Sequence, residues 1–210
     1  GLYLLDLASG TMRVLDADTM RYDRITWDLN GSRVAVLRGE KPRNAEQRVN
    51  TLITFVTATT TKASANTATR WSYTPGEDAA FPKEMVLSEL GTLEWSRDGS
   101  RIFFGIKQQK DKIEEPAANA DPKSNVEIWH WADDRLLSVQ KVQAEADRRS
   151  TYSAVINIAN KKFVQLSDAD MRSQQTRDGR WAIGQLDKQY RRLWDEDDGL
   201  RDLVRVNTAT

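Results

Sequence analysis

The chain has 210 residues, 39% of them hydrophobic and 8% aromatic, which is enough apolar material for one sizeable core or a short repeat array. Its 31 lysines and arginines balance 31 aspartates and glutamates, so it lacks the one-signed field that nucleic acid or an anionic membrane surface selects. A charged fraction of 30%, no apolar run near the roughly 18 residues of a spanning helix, and no cysteine exclude a transmembrane helix, disulfides and thiolate chemistry.

In chain order, Leu2–Leu15 alternates polar and apolar residues around a small-polar turn at Ala8-Ser9-Gly10-Thr11, the pattern of a hairpin with one wet face. Ile25–Leu37 is a second kind of hairpin. A short apolar strand leads to a polar turn in which Gly31 follows Asn30, a residue tolerant of left-handed angles. The strand after it, Val34–Leu37, is an unbroken apolar run, which predicts burial on both faces between stacked sheets. Thr57–Thr69 is threonine-rich and is expected to be an insertion, as either a ragged edge strand or a loop. Leu93–Phe104 repeats the second hairpin around Gly99, with Ile102–Ile106 as its buried strand.

Gln108–Ser124 is charged, contains prolines and has almost nothing to bury, so it is predicted as a solvated loop. Val126–Trp131 alternates like a strand. In Leu136–Arg149 the apolar Leu136, Val139, Val142 and Ala146 fall at helical spacing and predict an amphipathic helix. Tyr152–Leu166 returns to the first hairpin type, Ser173–Ile183 to the second around Gly179, and Asp202–Thr210 overlays Tyr3–Thr11.

One hairpin of each type makes a four-stranded unit. The turn glycines Gly31, Gly99 and Gly179 are spaced more widely than the ~40–50 residues of a propeller blade, so insertions near 57–70, 108–124 and 136–149 account for the excess. The expectation is an all-β fold, a partial β-propeller of about three to four four-stranded blades with one short helical insertion, occupying residues 1–210 as a single domain. The opening hairpin has no inner partner and the last segment stops inside a turn, so the propeller is expected to continue in both directions, with any targeting signal lying upstream.

The stretch Trp95-Ser96-Arg97-Asp98-Gly99-Ser100-Arg101-Ile102 resembles the Trp-Ser-x-Asp-Gly blade signature of TolB-like propellers and of the propellers of prolyl oligopeptidases and dipeptidyl peptidases. Val126–Lys141, with Lys161–Leu166 and Tyr190–Leu193, is similar to the propeller region of bacterial secreted prolyl-oligopeptidase-like serine peptidases. That resemblance implies a periplasmic or secreted protein, and a propeller that gates or orients peptide substrates for a C-terminal α/β-hydrolase domain bearing a Ser-Asp-His triad. The chain itself lacks a Gly-x-Ser-x-Gly elbow, and His130 is its only histidine, so no catalytic residue is assigned and the chain is expected to be inactive alone. The alternative is a non-catalytic TolB-like scaffold for protein–protein contacts. Neither reading implies a cofactor or a metal.

Other side chains invite sharper roles. His130, between two tryptophans on the expected strand, is read as structural. Glu114-Glu115 is set against the amine-binding glutamate pair of dipeptidyl peptidases, but its flanks do not match and it is read as solvated. Asp195–Asp198 lacks the alternating spacing of a calcium loop. Trp27 and Trp95 share a repeat position and are expected to pack between blades. Arg191-Arg192 is weighed as a carboxylate clamp and read as a surface pair. Substrate-binding residues are left unassigned.

Overall fold

A computed structural model of the chain describes residues 1–57, 70–112, 126–128, 130–133, 135–193 and 199–210, with the side chains of Arg192 and Leu193 left out. The described chain is built of antiparallel sheets in sequence order. β1 (Leu2–Leu5) pairs β2 (Met12–Asp16) in a two-stranded sheet. The next sheet runs β3 (Arg21–Trp27), β4 (Arg33–Glu40), β5 (Val49–Val56), β6 (Arg70–Tyr73). In the third, the innermost position is shared by two short strands, β7 (Met85–Ser88) and β8 (Glu94–Trp95), both on β9 (Arg101–Gln108), followed by β10 (Tyr152–Asn157) and β11 (Phe163–Gln165). The last holds β12 (Met171–Gln175), β13 (Trp181–Leu186) and β14 (Asp202–Asn207). Two full sheets flanked by two partial ones make an all-β partial propeller.

Three apolar seams hold the stack together. Leu2 meets Val34, Val36, Ile53 and Phe55 between the first and second sheets. Ala35, Leu37, Leu52 and Tyr73 of the second sheet meet Leu87, Trp95, Ile102, Phe104 and Ile156 of the third, with Phe81 and Phe163 4.9 Å apart within the seam. Phe103, Val155 and Leu166 meet Ala182 between the third and fourth. Alternate residues of β4 and of β9 therefore feed opposite seams, which is why their sequences are continuously apolar and almost wholly buried. At ~25 cal/mol per Å2 of apolar surface, these seams dominate the folding energy.

The turns between first and second strands line up on one end of the stack. Gly31, Gly99 and Gly179 take φ of 64°, 65° and 73°, so the left-handed residue is the glycine itself and not the Asn or Asp before it. The aspartates accept hydrogen bonds instead. Asp28, buried, takes the Ser32 and Arg33 amides at 2.8 and 2.9 Å and pairs with the Arg33 guanidinium at 3.1 Å. Asp98 accepts from the Ser96 hydroxyl at 2.6 Å and the Ser100 amide at 3.0 Å, and Asp178 from the Thr176 hydroxyl at 2.6 Å. A second tie lies on the inner strands. Arg24, left-handed at φ 57° within the irregularity of β3, donates its guanidinium to the Glu89 and Leu90 carbonyls of the next sheet.

Four expectations need correction. The described residues of Val126–Trp131 form no strand. They carry no ladder, and Trp131 is 88% exposed, because alternation without a neighbouring edge or a core face has nothing to pair with. The start of the charged 108–124 segment is not a free loop, since β9 runs to Gln108 and residues 109–112 bond back to 44–47 through the Lys110 and Asn44 carbonyls and a reciprocal Gln47–Gln109 pair. Tyr152–Leu166 has no wet face at its centre, because Ala154, Val155 and Ile156 of β10 are buried between two other sheets. Trp95 packs between sheets as expected, but Trp27 is 47% exposed. The threonine-rich 58–69, Glu114-Glu115, Trp129 and Asp195–Asp198 lie outside the described residues.

Candidate functional site: a groove beside the inserted helix

Antiparallel order sends the chain back and forth, so second-to-third strand connections and sheet-to-sheet crossovers share the end opposite the glycine turns. The β9–β10 connection carries α1 (Leu137–Arg149) there. The helix starts after Leu136, whose backbone is not yet helical, and ends where Ser150 leaves helical geometry. It buries none of its residues, yet it is anchored. The Lys107 ammonium, at the end of β9, donates to the Arg148 and Ser150 carbonyls at the negative end of the helix. Partial burial there lowers the Lys107 pKa. Arg135 reaches over the helix to Asp147 at 3.0 Å, and Lys141 pairs with Glu127.

The predicted apolar stripe of this helix does not pack down as a unit. Val142 is 85% exposed, whereas Leu136, Val139 and Ala146 border a groove of about 970 Å3. Its opposite wall comes from the start of β10, the β11–β12 crossover, the start of β12 and the β13–β14 connection. The volume falls within the range of ligand clefts.

The lining is of three chemistries. Apolar surface is given by Leu136, Val139, Ala146, Ala169, Met171 and Leu200. Hydroxyls come from Thr151, Ser153, Ser167 and Ser173. The Ser167 Oγ is engaged by the Ser153 amide at 2.6 Å, while the Ser173 Oγ is shielded from solvent and has no hydrogen-bond partner among the described residues. Charge is supplied in pairs, Arg135 with Asp147 and Arg191 with Asp187 at 2.8 Å, with Arg172 3.9 Å from the same Asp187. On the groove wall, the Tyr190 hydroxyl donates to Asp202 at 3.0 Å, and this bond raises the phenol pKa.

The groove's polar side chains are hydroxyls and paired charges. Its hydroxyls have no histidine near them, since His130 is exposed on a turn, stacked on Trp131 and accepting the Ala132 amide at Nδ1. Among the described residues no group of three or more His, Cys, Asp or Glu side chains is arranged to hold a metal ion. Among them, too, no helix is long and apolar enough to cross a membrane. Of the described side chains weighed from sequence for a functional role, Arg191 alone lines the groove, as an ion-paired wall residue. The Arg192 side chain lies outside the description. Sequence reasoning found the helix but not the groove, whose walls come from chain segments separated by three connections. The one local signal was the small-polar run Ser150-Thr151 and Ser167–Ala169 bracketing a buried strand.

No family model matches the chain, and no curated protein matches it. Among solved structures it is similar to TolB from Acinetobacter baumannii at 11% identity and a TM-score of 0.36, over 99% of this chain and 35% of that one. It is also similar to a TolB candidate from Agrobacterium tumefaciens at 10% identity and a TM-score of 0.25, over 97% of this chain and 64% of the other. The chain thus spans about a third of the first structure's length and under two thirds of the second's.

Proposed function

We propose that these residues are the non-catalytic propeller portion of a periplasmic or secreted serine peptidase, and that the groove beside α1 receives an extended peptide segment and orients it for an α/β-hydrolase domain that is not among them. The observation that carries the reading is the groove itself. An apolar floor suits alternate peptide side chains, and paired charges beside it confer register without a net field. The peptidase assignment rests on the resemblance of Val126–Lys141, Lys161–Leu166 and Tyr190–Leu193 to the propeller region of that class, the Trp95–Ile102 signature being shared with TolB-like propellers.

Binding of fluorescent, proline-containing peptides, followed by polarisation, tests the groove. The expected affinity is weak, in the range of ~10 μM to 1 mM. Val139→Glu, an addition of charge at a helix surface, is expected to weaken it about tenfold with unchanged circular dichroism. Absence of binding to every peptide, or equal binding by the variant, rejects the groove as a peptide site.

A second reading, a TolB-like scaffold that binds protein partners, is favoured by the exposed apolar side chains of β1 and β2, Tyr3, Leu5, Met12 and Val14. A longer form carrying a hydrolase domain separates the two readings. Peptide hydrolysis lost on changing its elbow serine supports the peptidase, and an inert long form supports the scaffold.

A further inference from the structure

The charges of the groove are shared unevenly between its two walls. On the helix wall Arg135 and Asp147 neutralise one another at 3.0 Å. On the facing wall the single carboxylate of Asp187 meets two guanidiniums. Arg191 is the one it holds, with Nε at 2.9 Å and Nη2 at 2.8 Å from Oδ1. Arg172 Nη2 stands 3.9 Å from Oδ2, beyond hydrogen-bonding distance.

The neighbouring charges have other partners. Lys188 pairs with Asp170 at 2.9 Å, and Arg201 donates to the Gln185 side chain at 3.2 Å. Asp168, the remaining carboxylate lining the groove, accepts the Asp170 and Met171 amides at 2.9 Å and so fixes its own turn. Arg172 is left with its side chain 83% exposed and with no hydrogen bond to its guanidinium among the described residues. Its backbone is nevertheless firmly placed, opposite Gln185 in the β12–β13 ladder. The apolar side chains of Met171 and Leu200 line the same wall.

A guanidinium offers paired, coplanar donors that match a carboxylate, and one whose donors are open gains most from such a ligand. We infer that Arg172 is the carboxylate-recognising residue of the groove, which therefore selects peptides that carry a carboxylate next to an apolar residue. The inference rests on the reading of the groove as a peptide site and names the class of peptide it takes. Two cations around one carboxylate disfavour a ligand amine at this wall and favour an anion. The ligand carboxylate is either the peptide's own C-terminus or an acidic side chain.

Peptide binding to the 210-residue chain, followed by fluorescence polarisation, tests this. The probes are an N-terminally labelled, proline-containing apolar peptide with a free C-terminal carboxylate, its C-terminal amide, and the same amide with glutamate as its last residue. The free acid is expected to bind about fivefold more tightly than the plain amide at low ionic strength, with the advantage shrinking at about 0.5 M salt. Arg172→Gln is expected to abolish the advantage and Arg172→Lys to restore part of it. Arg177→Gln, which removes an exposed charge from the β12–β13 turn at the other end of the sheet, is expected to leave it unchanged. If no free-acid advantage is seen but the glutamate amide outbinds the plain amide, and Arg172→Gln removes that gain, the carboxylate is a side chain; a free-acid advantage that the glutamate amide does not share assigns it to the chain end. Equal affinity for all three peptides, or an advantage that survives Arg172→Gln, overturns the inference and leaves the peptide groove standing. Absence of binding by all three overturns both.

Discussion

The third sheet, β7 to β11, and the last, β12 to β14, are copies of one repeat in different surroundings. The third has a sheet on each side, and β9 holds five consecutive buried residues. The last has a described sheet on one side only, and β13 buries Ala182 and Gly184 while Ile183 between them is 46% exposed. The turn aspartates do not differ in burial, since Asp98 and Asp178 are both exposed, but they are held differently. Burial works to raise the Asp98 pKa, but hydrogen bonds from Ser96 and Ser100 and the Arg101 charge outweigh it and hold the carboxyl at about 2. Asp178, in an exposed turn, is lowered chiefly by the Thr176 hydroxyl. The lesson is that burial follows the number of stacked neighbours and not the repeat's own sequence pattern.

The widest separation of the two sheets should come from paired truncations. Ile102→Ala removes a fully buried side chain from the second seam and is expected to cost about 3–4 kcal/mol, whereas Ile183→Ala is expected to cost well under ~1 kcal/mol by urea denaturation. Similar losses would mean that the last sheet is covered in solution. Asp28→Ala strips the buried acceptor from two amides, a hydroxyl and a guanidinium, with an expected loss of about 2–3 kcal/mol. Asp178→Ala, in the corresponding exposed turn, should cost less. Equal effects would show that turn geometry and not burial sets the contribution.

The smallest effect is on acid sensitivity. The folded-state pKa values of Asp28 and Asp98 lie below the unfolded 3.8, so both contribute stability that is present above the unfolded value and is lost as pH falls through the folded-state values, about 2 for Asp98. The urea midpoint should therefore drop between pH 5 and pH 2.5, and Asp98→Asn should lessen that drop. An unchanged pH profile in the variant would sink the assignment.

Much of the stack was legible in sequence because the signals were local. The Gly31, Gly99 and Gly179 turns, the apolar runs at Val34 and Ile102, and the helix from Leu137 each declare themselves within a dozen residues. The short strands Arg70–Tyr73 and Met85–Ser88 did not, because four residues hold too few alternations to show a period. Trp27 misled because a repeat position records what a residue can pack against, not whether that surface is present. The groove was illegible for a related reason. Ser173 and Val139 are far apart in sequence and are brought to one cleft only by the return of the chain to the same end of two sheets.

The long connection between β9 and β10 has a consequence for change over time. The two strands keep an unbroken register, Tyr152 opposite Ile106 through Asn157 opposite Arg101, although more than forty residues separate Gln108 from Tyr152. Closing a long loop costs little more than closing a short one, because the entropic penalty grows only with the logarithm of its length. The described part of that connection, residues 135–150, is therefore open to exchange or lengthening while β9 and β10 keep their register. Selection can reshape one wall of the groove with the ladder of β9 and β10 as its constant footing.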